Sequence, residues 1–207
     1  MKKITVIAFV LFIGLLSSQA QVKVSPGIRG GLNISNLTNF GSSDPRSDFY
    51  IGGLLAIKFN KYFTLQPELT YSRQGAEARQ NIYNAYILPG GPGSYKVNYN
   101  LDYLTFGAVA KFHFGGGGFH LLGGPSLDIK TNDNFPAYDH NPVGVDLAFV
   151  GGLGYTLPNG LTFEARFKQG LIDIYGYDGI DNSNYYYDDI ILNQVFQIGI
   201  SYTFKVK

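Results

Sequence analysis

Leu161-Thr162-Phe163-Glu164-Ala165-Arg166-Phe167-Lys168-Gln169-Gly170-Leu171 alternates between apolar and polar residues along most of its length. Successive side chains of an extended chain point to opposite faces. Leu161, Phe163, Ala165, Phe167 and Leu171 therefore share one face, and Thr162, Glu164, Arg166 and Lys168 the other. Every charge stands on the second face.

Seven more segments repeat the division. Val22, Val24, Pro26, Ile28, Leu32 and Ile34 oppose Lys23, Ser25, Arg29 and Asn33. Phe49, Ile51, Leu55, Ile57 and Phe59 oppose Tyr50, Gly52, Ala56 and Lys58. Phe63, Leu65, Pro67, Leu69 and Tyr71 oppose Thr64, Gln66, Glu68, Thr70 and Ser72. Leu104, Phe106, Ala108, Ala110, Phe112 and Phe114 oppose Thr105, Gly107, Lys111 and His113. Phe119, Leu121, Pro125, Leu127 and Ile129 oppose His120, Gly124, Ser126 and Asp128. Val145, Leu147, Phe149, Leu153 and Tyr155 oppose Asp146, Ala148, Gly152, Gly154 and Thr156. Leu192, Phe196, Ile198, Ile200, Tyr202 and Phe204 oppose Gln197, Gly199, Ser201, Thr203 and Lys205. Leu101 and Tyr103 fall on the polar side, which points to a bulge at the start of the fourth segment.

The connections alternate in length. Asn60-Lys61, Gly115 to Gly118 and Pro158-Asn159-Gly160 read as tight turns, while 37–48, 75–97, 130–142 and about 173–190 read as long loops. Eight antiparallel strands joined this way make an all-β, up-and-down transmembrane β-barrel with short periplasmic turns and long extracellular loops. The segments run roughly 10 to 13 residues, against the about 9 to 11 that a tilted crossing needs.

The N-terminus supplies a route to a membrane. Lys2-Lys3, an apolar run from Ile4 to Leu16 and Ser18-Gln19-Ala20 form a cleavable secretory signal, with cleavage expected after Ala20. Residues 21–207 are then the barrel domain. Loss of Lys2 and Lys3 from the 16 basic residues leaves 14 against 15 acidic ones, a net of −1, so no nucleic-acid partner is expected. With Cys absent, the exported chain has neither disulfides nor a lipid-modified cysteine. Charged residues make up only 15% of the chain, below the roughly 25% of average usage.

A soluble secreted ligand-binding barrel would show the same alternation with the apolar set inside. An eight-stranded interior is just wide enough for side chains to fill. Dozens of Phe, Leu, Ile and Tyr would overfill it, whereas Gly, Ser, Thr and a few long charged residues fit. The apolar face therefore belongs to lipid, with Phe and Tyr near the segment ends as interfacial belts.

Gly27-Ile28-Arg29-Gly30-Gly31-Leu32-Asn33-Ile34-Ser35-Asn36, Leu65-Gln66-Pro67-Glu68-Leu69-Thr70-Tyr71-Ser72 and Leu101-Asp102-Tyr103-Leu104 are strand motifs with a family likeness. So are Leu121-Leu122-Gly123-Gly124-Pro125, the segment quoted first, and Gly199-Ile200-Ser201-Tyr202-Thr203-Phe204. Together they resemble the PorT-like outer-membrane β-barrel family of Bacteroidetes. The resemblance implies an integral outer-membrane barrel and allows an accessory role in secretion.

Arg29, Lys58, Glu68, Lys111, Asp128, Asp146, Glu164, Arg166 and Lys168 fall on the lumen face. Buried charges need partners, so these nine are expected to form a structural ion-pair network, with Glu68 at mid-height bonded to Arg29 or Arg166. His113 and His120 flank the glycine turn on the periplasmic side. His140, beside Asp139 in a long loop, is the centre of an alternative reading as a lipid-modifying or proteolytic enzyme, although a lone His-Asp neighbour pair is weak evidence of a triad. In the fourth loop, Tyr175, Tyr177, Tyr185, Tyr186 and Tyr187 among aspartates offer a candidate binding surface, since tyrosine supplies rigid amphipathic contact area. No cofactor and no metal are expected. The expected partners are outer-membrane lipid and lipopolysaccharide, and the barrel-assembly machinery during insertion. The barrel is expected to be a monomer, non-enzymatic, with no protein partner identifiable.

Overall fold

The computed structural model describes residues 22–40, 43–81, 94–135, 142–175 and 190–204. Residues 1–20, expected to be the signal, and His140, Tyr177 and Tyr185 to Tyr187 lie outside the described residues.

Eight strands run in chain order: β1 (Lys23–Leu37), β2 (Ser43–Lys58), β3 (Phe63–Asn81), β4 (Ser94–His113), β5 (Phe119–Asp133), β6 (Val145–Thr156), β7 (Leu161–Gly170) and β8 (Asn193–Thr203). Each pairs antiparallel with its neighbours, and β1 closes on β8 through registers such as Ile28↔Tyr202. Closure satisfies the backbone inside the ladder and leaves no sheet edge, which a hydrocarbon environment requires.

The faces are the reverse of a water-soluble protein. Ile51 is 60% and Leu32 59% exposed, while Asp128 and Asn33 are fully buried. The soluble-barrel alternative needs the apolar set inside, and this geometry excludes it.

Asn60 Oδ1 accepts from the backbone N–H groups of Tyr62 and Phe63, both at 2.8 Å, and so fixes the β2–β3 turn. The glycine run closes as a 3₁₀ turn over Phe114–Gly116 in which Gly115 adopts φ 61°, a value glycine reaches without penalty.

Two corrections to the sequence boundaries matter. The first two long loops are much shorter than 37–48 and 75–97, because β2 begins at Ser43 and β3 and β4 pair as far as Asn81↔Ser94. Above the bilayer neither face has to be apolar, so the ladder continues where the hydrophobic alternation stops. The second correction is the bulge. Asp102 pairs with Asn132 and Tyr103 with Lys130, which leaves Thr131 of β5 as the extra residue. The inserted residue therefore sits on β5, and Leu101 and Tyr103 face the lumen in regular β4 register.

Candidate functional site

The lumen is filled in strata. Its middle layer is ionic. Arg166 donates Nη1 and Nη2 to the two oxygens of Glu68, both at 2.8 Å, and Nε and Nη2 to Glu164 Oε2 at 3.0 and 2.7 Å. One guanidinium thus bridges two carboxylates, a use of its planar fork that lysine could not match. Arg29 donates to the same Glu68 and, through Nη2, to Tyr50 Oη at 3.2 Å. Lys111 Nζ donates to Glu164 Oε1 at 2.5 Å, and His120 Nε2 lies 3.4 Å from that oxygen. Lys168 pairs with Asp128, whose other oxygen accepts from Thr105 Oγ1 at 2.7 Å.

Small residues make room for these long ones. A Cβ on Gly199 would stand 1.9 Å from Tyr50 Oη, and one on Gly154 2.7 Å from His120 Nε2. Glycine on the lumen side of β6 and β8 is thus a packing requirement. What remains is a cavity of about 20 Å³ lined by Arg29, Glu68, Gly107, Ser126, Arg166 and Lys168 among others, room for about one water molecule.

Towards the extracellular side an amide layer follows. Gln197 Nε2 donates to Asn33 Oδ1 at 2.8 Å, Asn33 Nδ2 to Ser72 Oγ at 2.9 Å, and Gln74 Nε2 to the same hydroxyl at 2.9 Å. Above it the lumen turns apolar. Leu37, Ala76, Leu101, Tyr103 and Ile174 form a buried cluster against which Phe40, Phe135, Tyr175 and Ile191 pack. The rings of Phe40, Tyr99 and Phe135 contact one another, and Tyr175 meets Phe135 edge-on at 6.2 Å. Ile174 is pinned by backbone bonds from Val143 N to its carbonyl and from its own N–H to Ile191.

A family model for an outer membrane protein beta-barrel domain matches residues 19–176. The chain belongs to that family. No curated protein sequence matches it. Solved structures similar to it include Ail, the attachment invasion locus protein of Yersinia pestis, in complex with the heparin analogue sucrose octasulfate. That likeness has 11% identity and a TM-score of 0.47, and covers 88% of this chain and 99% of Ail. Neisserial surface protein A is similar at 9% identity and a TM-score of 0.47, covering 89% and 99%. OprG from Pseudomonas aeruginosa is similar at 12% identity and a TM-score of 0.46, covering 91% and 99%.

This outer-membrane β-barrel domain brings together seven of the nine lumen residues singled out from sequence: Arg29, Glu68, Lys111, Glu164 and Arg166 in one chain of contacts, Asp128 and Lys168 in a second. Asp146 stands directly opposite Asp128, but its Oδ1 accepts from the Ile172 N–H at 3.1 Å and its Oδ2 is buried without a partner. Lys58 does not join the network. It lies exposed at the periplasmic rim, cross-strand from Lys23, because β2 ends there, and no carboxylate among the described residues pairs with it. Tyr175 is half-buried against the apolar cluster rather than displayed on a loop surface. Burial, then Tyr99 and Asp173, push its phenol up to about 12.

Sequence reading missed the amide layer, the apolar cluster, and Val109, Leu122 and Val150, which form a small apolar contact inside the barrel. The break in phase at Leu101 and Tyr103 was the available signal for the cluster. His113 Nε2 lies 3.2 Å from Thr64 Oγ1, with its ring 5.0 Å from that of His120. Among the described residues no three His, Cys, Asp or Glu side chains gather closely enough to hold a metal ion.

Proposed function

We infer that this outer-membrane barrel is a closed, non-enzymatic scaffold whose work is binding at its extracellular loops. The observation that carries the reading is the filled lumen: an ionic layer, an amide layer and an apolar layer lie in series around a cavity of about 20 Å³. A protein built for passage would keep a water-filled route.

The seven charges paired inside the lumen are then structural, and specificity falls to the loops. The fourth loop offers Tyr175, Tyr177, Tyr185, Tyr186 and Tyr187 with Asp173, Asp178, Asp181, Asp188 and Asp189, and the chain has no Lys or Arg between Lys168 and Lys205. Clustered carboxylates and tyrosines suit a partner carrying positive charge. In this reading Tyr175 anchors the base of the loop and the other four tyrosines make the contact. Export after cleavage behind Ala20, insertion by the barrel-assembly machinery, a monomer surrounded by lipid and lipopolysaccharide, and an accessory role in secretion complete the proposal.

Deleting 177–187 tests it. Whole-cell proximity labelling should lose its extracellular partners while the heat-modifiable gel migration of the barrel persists. Discrete single-channel conductance of the wild-type protein in planar bilayers would defeat the closed-scaffold reading.

A further inference from the structure

The fifteen Asp and Glu residues keep clear of the segments that turn at one end of the barrel. There is no Asp or Glu in 21–43, 49–67, 103–127, 147–163 or 190–207, which together contain every periplasmic turn and strand end. The lowest carboxylates are those of the ionic layer, Glu68 and Glu164 among them. Below that layer the described residues carry Lys23, Lys58 and Lys61, all exposed.

Lys23 and Lys58 are more than neighbours. The β1–β2 register pairs them directly, Lys23↔Lys58. Side chains so paired have Cβ atoms about 5 Å apart, and like charges directly opposite destabilise a sheet. Lys61 follows in the next turn, its ammonium 4.9 Å from the centre of the Tyr62 ring. Among the described residues no Asp or Glu forms an ion pair with Lys23 or Lys58, which leaves room for a counter-charge from outside the barrel.

The level of the pair says which anion. Tyr62, Phe112, Phe114, Phe119, Tyr155 and Phe204 are exposed near the same end of the barrel. Aromatic belts of this kind sit at the headgroup level. Lys23 and Lys58 leave from the lumen-facing side at the very ends of their strands, and lysine's long stem lets an ammonium at that height reach over the rim to the phosphates of the inner leaflet.

We propose that the Lys23–Lys58 pair, with Lys61, is a binding site for the phosphate of an anionic phospholipid headgroup in the periplasmic leaflet. The lipid neutralises a repulsion the fold leaves uncompensated, and it fixes the depth of the periplasmic rim.

The test uses the full-length barrel reconstituted in phosphatidylcholine membranes with spin-labelled phosphatidylglycerol or phosphatidylcholine. The wild type should retain phosphatidylglycerol preferentially, and K23Q/K58Q should lower that preference by about fivefold for each lysine at low salt. K58E places a carboxylate opposite Lys23, so it should abolish the preference while raising the temperature of the gel shift in neutral detergent. Should K58E fail to insert, K23Q/K58Q still decides the matter. Equal association of both lipids with the wild type, or a preference unchanged in K23Q/K58Q, overturns the proposal. It is also overturned, in favour of a soluble acidic partner, if polyglutamate binds the wild type but not K23Q/K58Q and phosphatidylglycerol shows no preference.

Discussion

The ionic layer around Arg166 and the apolar cluster around Leu101 close the same lumen by opposite chemistry. The first is held by charges that tolerate burial only in one another's company. The second is held by volume, and five of its nine residues, Phe40, Phe135, Ile174, Tyr175 and Ile191, arrive from the loops. Removing one member of a buried ion pair strands its partner, whereas removing a methyl group leaves only a void. The lower closure therefore fails abruptly and the upper one by degrees.

The largest expected effect breaks the ionic layer. Arg166→Ala leaves Glu68 and Glu164 buried with fewer cations, and should cost about 3–5 kcal/mol. The chain contains no Trp, so urea unfolding in lipid vesicles is best followed by circular dichroism or gel migration. An unchanged midpoint would mean that water already reaches the layer.

Leu101→Ala should cost less, about 2–3 kcal/mol, at the low end for a fully buried leucine because loop side chains can settle into the space. It should also quicken proteolysis of the extracellular side, which Arg166→Ala should leave slow until the whole barrel opens. Similar proteolysis of both variants would erase the distinction between the two closures.

Tyr175 sharpens the contrast through pH. An unfolded tyrosine ionises near 10, whereas in the folded barrel burial pushes this phenol up to about 12. Folding favours its protonated form, so its contribution is complete below pH 10 and is lost as pH rises towards 12. The phenolate absorbance of the wild type minus that of Tyr175→Phe should titrate near 12. A midpoint near 10 would place Tyr175 outside the cluster.

The smallest effect is expected from Gly107→Ala. Its methyl group would meet Glu68 Cβ and Ser126 Cβ at 3.9 Å, ordinary contact distance, inside the residual cavity. Stability should change by less than about 1 kcal/mol. A large loss would mean that the cavity holds a water the ionic layer depends on.

The barrel itself was legible because the bilayer enforces the alternation: a charge on the face of Phe163 and Phe167 would be buried in hydrocarbon. Arg29, Glu68, Glu164 and Arg166 were legible as lumen residues for the same reason. Alternation gives a side but not a height, which is why Lys58 looked like a member of the network although β2 ends at that residue. Loops 1 and 2 were overestimated because Ser43 to Asp48 and Gly75 to Asn81 alternate without an apolar face. The upper cluster depends on Ile174, Phe135 and Phe40, brought together only by the closure of the barrel, and no spacing in the sequence reports it.

The strands are also unequal. β3 and β4 have 19 and 20 residues, β7 and β8 10 and 11. At about 3.3 Å per residue, one flank stands roughly 30 Å of strand longer than the other. A visitor from outside therefore meets a parapet on one side and a low sill on the opposite one. The fourth loop leaves from the sill, so whatever it binds is met across the mouth from the taller hairpin.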